Sequence, residues 1–221
     1  MLRAVLIDLD GTLTMFNIDI SAMSRALQDI VDKESLSGLF NGVERPFQYF
    51  KRLNELRGTL EEDKYNYLRK RFHDVACSIE STAAAEAVKT PYSDYFLEGL
   101  ESLGLKMGLV TNSCRNAAEL VLNKLGFKKY FNVVIARDDV DRMKPYPDPL
   151  NKALSVLGVS PGEALYIGDS IMDVLAGEAA GITTIYLDTT RLPPIKGLSV
   201  KPRYKVSSLH EALQLVKSFL Q

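Results

Sequence analysis

Short apolar runs recur along this chain at 5–9, 107–110, 133–136, 164–167 and 183–187, and several are separated by amphipathic stretches that stop on glycine. Runs of four or five apolar residues without polar alternation are what a strand buried on both faces requires. The intervening patterns at 95–103, 117–125, 149–157 and 174–180 have helical spacing, and the last three are followed by Gly126, Gly158 and Gly181. A glycine placed just past a helix readily takes the left-handed turn that ends it. Strand, helix and glycine stop in this order predict an α/β fold with a doubly wound parallel sheet. Ligands of such sheets bind at the carboxyl ends of the strands, near the point where strand order reverses. A strand at 204–206 and a helix over 209–220 complete the pattern, after a Pro-, Gly- and Lys-containing loop at 191–203.

The stretch from 15 to 90 is different. It holds no buried strand run, and its apolar residues fall at helical spacing: Ile18, Met23, Leu27, Ile30 and Val31, then Phe47, Phe50, Leu53 and Leu56, then Tyr65, Leu68, Phe72 and Val75. Three such stripes predict a small helical bundle with its own core. Thr90-Pro91 marks the return to the α/β pattern. The expected organisation is an all-helical domain, 15–90, inserted after the first strand of an α/β domain formed by 1–14 and 91–221.

Composition narrows the function classes. The 221 residues are 46% hydrophobic and 25% charged with a net charge of -1, which fits a globular chain and supplies no positive field for nucleic acid or anionic membrane. The apolar N-terminal run is interrupted by Asp8 and Asp10, so neither export nor membrane insertion is expected. Cys77 and Cys114, the only cysteines, form neither a metal-type pair nor a disulfide framework by spacing. A cytoplasmic, reducing setting is the expectation.

Acids mark two strand ends. The first run continues Ile7-Asp8-Leu9-Asp10-Gly11-Thr12. Strand alternation turns Asp8 and Asp10 to one side, and Gly11 permits a sharp turn with backbone amides close to an anion. Neighbouring carboxylates at such a place are costly unless they share a cation or a proton. One can then serve as an ionised nucleophile and the other as proton carrier, although an acidic solvated turn has the same sequence. The fourth run leads into Gly168-Asp169-Ser170-Ile171-Met172-Asp173. With a helix starting near Ser170, Asp169 stands at its mouth and Asp173 one turn on. Four carboxylates at one sheet edge suit a hard cation such as Mg²⁺, whereas Asp169 acting only as a helix cap is the simpler alternative.

Two more strand ends provide for an anion. Thr111, Asn112 and Ser113 precede the helical pattern from 117, whose N-terminus favours phosphate. Lys144 lies in the stiff segment Lys144-Pro145-Tyr146-Pro147 after the third run, where it can act as a point charge.

The four segments Asp8-x-Asp10-Gly11-Thr12, Thr111-Asn112, Lys144-Pro145 and Gly168-Asp169-Ser170-x-x-Asp173 together resemble the motifs of the haloacid dehalogenase-like hydrolase superfamily, in its order and across the chain. The resemblance implies a Rossmann-like core and, in the helical insert, the first type of cap domain. It further implies a Mg²⁺-dependent phosphatase acting on a small phosphomonoester through an aspartyl-phosphate. Asp8 would be the nucleophile and Asp10 the general acid/base. Thr111, Asn112 and Lys144 would hold the phosphoryl group. Asp8, the backbone carbonyl of Asp10, and Asp169 would bind the metal, with Asp173 as ligand or supporting partner. An acid at position 10 matches phosphatases and phosphomutases rather than dehalogenases. A phosphoglycolate phosphatase-like role is the preferred reading and a β-phosphoglucomutase-like isomerase the alternative. A phosphorylated receiver-type signalling domain uses similar residues, but without an insert and with its acids on different strands.

Other residues carry weaker signals. Arg45, in Gly42-Val43-Glu44-Arg45, is the candidate for a cap residue that contacts an anionic substrate tail, with a plain helix start as the alternative. His73 and His210 are expected on helix surfaces, Cys114 in packing, and Asp138, Asp139 and Asp141 in a solvated loop. The expected partner is a small phosphorylated metabolite, with the chain a monomer or homodimer.

Overall fold

A computed structural model describes residues 1–15, 17–188 and 202–220. Strand β1 (Ala4–Ile7) opens the chain and short β2 (Thr14–Met15) follows the acidic turn. Helices α1 (Ile20–Lys33), α2 (Pro46–Glu55) and α3 (Glu62–Ala84) come next, and then β3 (Val88–Lys89). The remainder alternates: α4 (Ser93–Ser102), β4 (Lys106–Val110), α5 (Arg115–Leu125), β5 (Val133–Ile135), α6 (Asp148–Leu157) and β6 (Ala164–Gly168). It closes with α7 (Ile171–Ala180), β7 (Thr183–Leu187), β8 (Tyr204–Val206) and α8 (Leu209–Ser218). Most of the loop expected at 191–203 lies outside the described residues.

Six strands form one parallel sheet in the order β5-β4-β1-β6-β7-β8. β1 is central, with Ile7 level with Leu109 of β4 and Ile167 of β6. Its alternate side chains enter different layers. Val5 and Ile7 join Phe96, Leu97, Val121, Leu122 and Leu213 from α4, α5 and α8. Ala4 and Leu6 pack with Leu150, Leu154, Leu157 and Ala176 from α6 and α7. Helices on both faces explain why the strands read as uninterrupted apolar runs. This is the doubly wound, Rossmann-like fold that the strand and helix alternation predicts. The expected glycine stops are present too, since Gly126, Gly158 and Gly181 take the left-handed conformation after α5, α6 and α7.

The helical segment has a separate apolar cluster. Met23, Leu27, Ile30 and Val31 of α1 meet Leu53 of α2 and Leu68 and Phe72 of α3. In α2 it is Tyr49 that is buried, its hydroxyl donating to Gln28 at 2.6 Å, while Phe47 is only partly covered. The two connections to the sheet pair with each other, Thr14 opposite Lys89 and Met15 opposite Val88. Two-residue strands are too short to produce a readable period, so none was expected there.

Candidate active site

The carboxyl ends of β1, β4 and β6 are adjacent because those strands are adjacent, and the polar residues after each therefore converge. Asp8 continues β1 through a 2.9 Å bond from its N–H to the carbonyl of Ile167. The chain then turns back at Gly11, with φ of +86°. A side chain there is excluded twice over, since a Cβ would lie 2.0 Å from Asp169 Oδ2. The turn thus sets the β1 and β6 acids together. Thr12 links them, its hydroxyl lying 3.2 Å from Asp169 Oδ1 and 3.4 Å from Asp8 Oδ2.

At the end of β6, Ser170 rather than Asp169 caps α7, and Asp173 accepts from the Ser170 N–H in return. Asp169 is therefore left free of the capping role that was its simpler alternative. Asp173 is buried and saturated. Its Oδ1 accepts from Lys144 Nζ at 2.6 Å and from the Tyr166 hydroxyl at 2.5 Å, while Oδ2 accepts from Ser170.

Lys144, the point charge of the stiff segment, is buried. It is 3% exposed, and its ammonium reaches Asp8 Oδ1 at 2.6 Å as well as Asp173, Tyr166 and the carbonyl of Val110. Asn112 makes this possible: its side-chain amide donates to the Lys144 carbonyl and accepts from the Lys144 N–H, both at 3.0 Å. That pairing commits the Asn112 side chain to the lysine loop and leaves its backbone, not its amide, for any phosphoryl contact. Thr111 is buried and its oxygen accepts from the Ser113 N–H at 3.0 Å. The Ser113 hydroxyl lies 2.5 Å from Asp10 Oδ2, while Asp10 Oδ1 is buried with no hydrogen-bond partner among the described residues.

Burial and mutual repulsion distort the acids in different directions. Desolvation, with the charge of Asp173 adding to it and Lys144 opposing, pushes the Asp8 carboxyl up to about 7. Burial, with the charges of Asp8 and Asp173, pushes Asp169 up to about 8. Asp10 is raised well above the carboxylate range by burial and by Asp8, with a smaller contribution from Glu80. Asp173 goes the other way, because Lys144 and its hydrogen bonds outweigh its burial. Separate acid and base forms at neutral pH are what paired carboxylates need for proton transfer. Ligand oxygens of Asp8, Asp169 and Asp173 lie within 4.8 Å of one another. Hard oxygen donors, two of which, Asp8 and Asp169, are held toward their neutral forms chiefly by burial and would ionise beside a cation, fit a Mg²⁺ ion.

Elsewhere the structure corrects the reading of the two cysteines. Cys77 of α3 and Cys114 are joined as a disulfide, although 37 residues separate them, because α3 lies alongside α5. Asp138 accepts from the Arg115 N–H at 2.6 Å and the partly buried Asp139 pairs with the Arg115 side chain, whereas Asp141 is exposed, as expected of a solvated loop, and pairs with Arg57 and Arg69. His73 is 3.2 Å from Asp138, and His210 stacks on Tyr95. Arg45 is exposed at the start of α2. Four residues near the site were not singled out: Thr12, Tyr166, Glu80 and Arg137. Only Thr12 had a signal, its place directly after the acidic turn. No helix among the described residues is long and apolar enough to cross a membrane.

Residues 2–181 match the family model of the haloacid dehalogenase-like hydrolases. A Clostridium perfringens protein provisionally named pyrophosphatase PpaX is 34% identical over 220 residues, covering 98% of both chains. The pyrophosphatase PpaX of Bacillus cereus is 30% identical, covering 92% of this chain and 89% of its own. Among solved structures, a Lactobacillus plantarum protein provisionally named phosphoglycolate phosphatase superposes with a TM-score of 0.65 at 23% identity, over 97% of this chain and 99% of its own. That likeness concerns the fold. The family match over most of the chain and the relatives named for phosphate-releasing activity lead to one assignment: the chain belongs to the haloacid dehalogenase-like hydrolases and is a phosphatase-type enzyme.

Proposed function

We propose that this chain is a Mg²⁺-dependent phosphohydrolase working through a phosphoryl group carried on Asp8, with inorganic pyrophosphate as its leading substrate. The chemical part rests on the placing of the buried Asp8 carboxylate 2.6 Å from Lys144 and beside Asp169. Asp8 Oδ1 is held by Lys144, so Oδ2, with only the long contact from Thr12, is the freer oxygen to attack. It forms a bond to phosphorus as the bond to the leaving oxygen breaks, and Asp10 delivers a proton to that oxygen. In the second step water attacks the same phosphorus, loses a proton to the Asp10 carboxylate and displaces Asp8. Orthophosphate leaves.

The Thr111 hydroxyl, the Asn112 backbone N–H and the Lys144 ammonium orient the phosphoryl oxygens. Asp8, Asp169 and the backbone carbonyl of Asp10 would hold Mg²⁺. Asp173 is assigned chiefly to fixing Lys144, because its oxygens already accept four hydrogen bonds. When bound, the ion offsets the charge that develops on the transferring group.

The substrate part rests on the relative that is 34% identical along the whole chain and is named a pyrophosphatase. The phosphoglycolate reading has neighbours at lower identity behind it, and these carry fold alone. The test is phosphate release from inorganic pyrophosphate, phosphoglycolate and p-nitrophenyl phosphate, with and without Mg²⁺. The expected result is Mg²⁺-dependent release with pyrophosphate turned over best, and at least a thousandfold loss in Asp8→Asn, on the scale expected for removing a nucleophile. Equal turnover by Asp8→Asn, or full activity after exhaustive chelation, would overturn the chemistry; preference for phosphoglycolate would overturn only the substrate.

A further inference from the structure

Glu80 belongs to the last turns of α3, in the helical segment, yet it is 4% exposed and faces the loop after β4. Its carboxylate meets Arg137 side by side, Oε1 to Nη1 at 2.5 Å and Oε2 to Nη2 at 2.9 Å. Oε2 also accepts from the Cys114 N–H at 2.9 Å, and Arg137 Nη1 donates to the Asn112 carbonyl at 3.0 Å. The Arg137 N–H donates to the Ser113 carbonyl at 3.1 Å. The pair therefore grips the peptide groups on both sides of Ser113. Phe50 of α2 covers the guanidinium, its ring centroid 5.0 Å from Cζ.

What the grip aims is the Ser113 hydroxyl, 2.5 Å from Asp10 Oδ2. A hydroxyl fixed on one carboxylate oxygen orients the other, and Asp10 Oδ1 is the buried oxygen without a partner. A buried ion pair is poor support for stability, since desolvation cancels much of its attraction; its directional bonds set geometry instead. We infer that Glu80 is a positioning residue for Asp10, acting from the helical segment through Arg137 and Ser113. The inference rests on the catalytic reading of Asp8 and Asp10 above. It makes the proton-transfer geometry of the sheet domain depend on where α3 lies.

A residue that only held the fold together would affect all substrates alike. One that aims the general acid affects substrates according to their need for a proton. Phenol ionises near the Tyr value of about 10, so phenyl phosphate needs leaving-group protonation far more than p-nitrophenyl phosphate does. The experiment measures kcat/KM for both probes with Mg²⁺ in Glu80→Gln and in the double variant Glu80→Gln/Arg137→Gln. The double variant removes both charges, so it avoids the uncompensated guanidinium left by the single one. Folding is checked by thermal melting. The expected result is a fall of about 10²-fold for phenyl phosphate, the lower end of what general acid catalysis supplies, against less than about tenfold for the nitro compound. Equal loss on both probes, or no loss on either, in a folded variant would overturn the assignment. A wild-type protein inert toward pyrophosphate as well as toward both probes would instead remove the catalytic reading beneath it.

Discussion

The strand-end site and the helical segment are built on opposite plans. At the strand ends, charge is concentrated in the interior: Asp8, Lys144, Asp169 and Asp173 are each no more than 5% exposed. The helical segment keeps its interior apolar, with Leu27, Leu68 and Phe72 fully covered, and confines charge to its surface and its seam with the sheet domain. These buried ionisable groups are tolerated because the parallel sheet supplies rigid, adjacent strand ends, on which Lys144 pairs with Asp8 and Asp173 while Asp169, with only the Thr12 hydroxyl beside it, is pushed toward its neutral form. The seam has both kinds of contact. Asp141 with Arg57 and Arg69 is exposed, whereas Glu80 with Arg137 is buried. On the proposed reading, the acids at the strand ends carry the chemistry and the helices bear on them through a few contacts.

This contrast can be broken at either end. The largest effect is expected at Lys144: Lys144→Ala leaves Asp8 and Asp173 facing each other, and activity should fall by at least about a thousandfold in a phosphate-release assay. The same change should cost roughly 3–5 kcal/mol in denaturant unfolding, as expected when one partner of a buried pair is lost. Stability loss without activity loss would show that the lysine is only structural. Phe72→Ala, in the helical cluster, should cost about 3–5 kcal/mol by cavity formation while leaving the strand-end acids in place. A normal response to Mg²⁺ in the remaining folded protein would sharpen the separation of the two regions.

A pH series addresses the interior charge directly. Asp8 and Asp169 are raised in the folded protein, to about 7 and about 8, from an ordinary 3.8, so the fold binds more protons than the unfolded chain. Their contribution is therefore present in full below pH 4 and is lost as pH rises through 7 to 8. In metal-free protein this component should lower the melting temperature across that window, and added Mg²⁺ should raise the melting temperature more at pH 8 than at pH 6. An equal Mg²⁺ effect at both would contradict the shared-charge account. A smaller effect is expected at Arg45, where Arg45→Ala should raise KM for pyrophosphate a few-fold; an unchanged KM would remove Arg45 from substrate recognition. Asp141→Ala should change stability by no more than about 1 kcal/mol, the range of exposed pairs. A larger loss would place real energy in the exposed half of the seam.

Much of this molecule was legible in one dimension. The central strands β1 and β6 are apolar runs because they are covered on both faces, whereas edge strand β8 carries the exposed Lys205, and three helices end at their glycines because those residues enter the left-handed region without strain. Asp8, Asp10, Asp169 and Asp173 could be picked out because each pair is local in sequence, on one strand end or one helical turn. What lay beyond the sequence depended on contacts between distant segments. That Lys144 is buried, and that Asn112 spends its side chain on the lysine loop, follow only once β4 and the segment before α6 are side by side. Cys77 meets Cys114, and Glu80 meets Arg137, because α3 packs on α5 and the loop after β5. Local spacing reports which residues share a strand or a helical turn, whereas the energy of a buried charge depends on which partners surround it, and those are supplied by the tertiary fold.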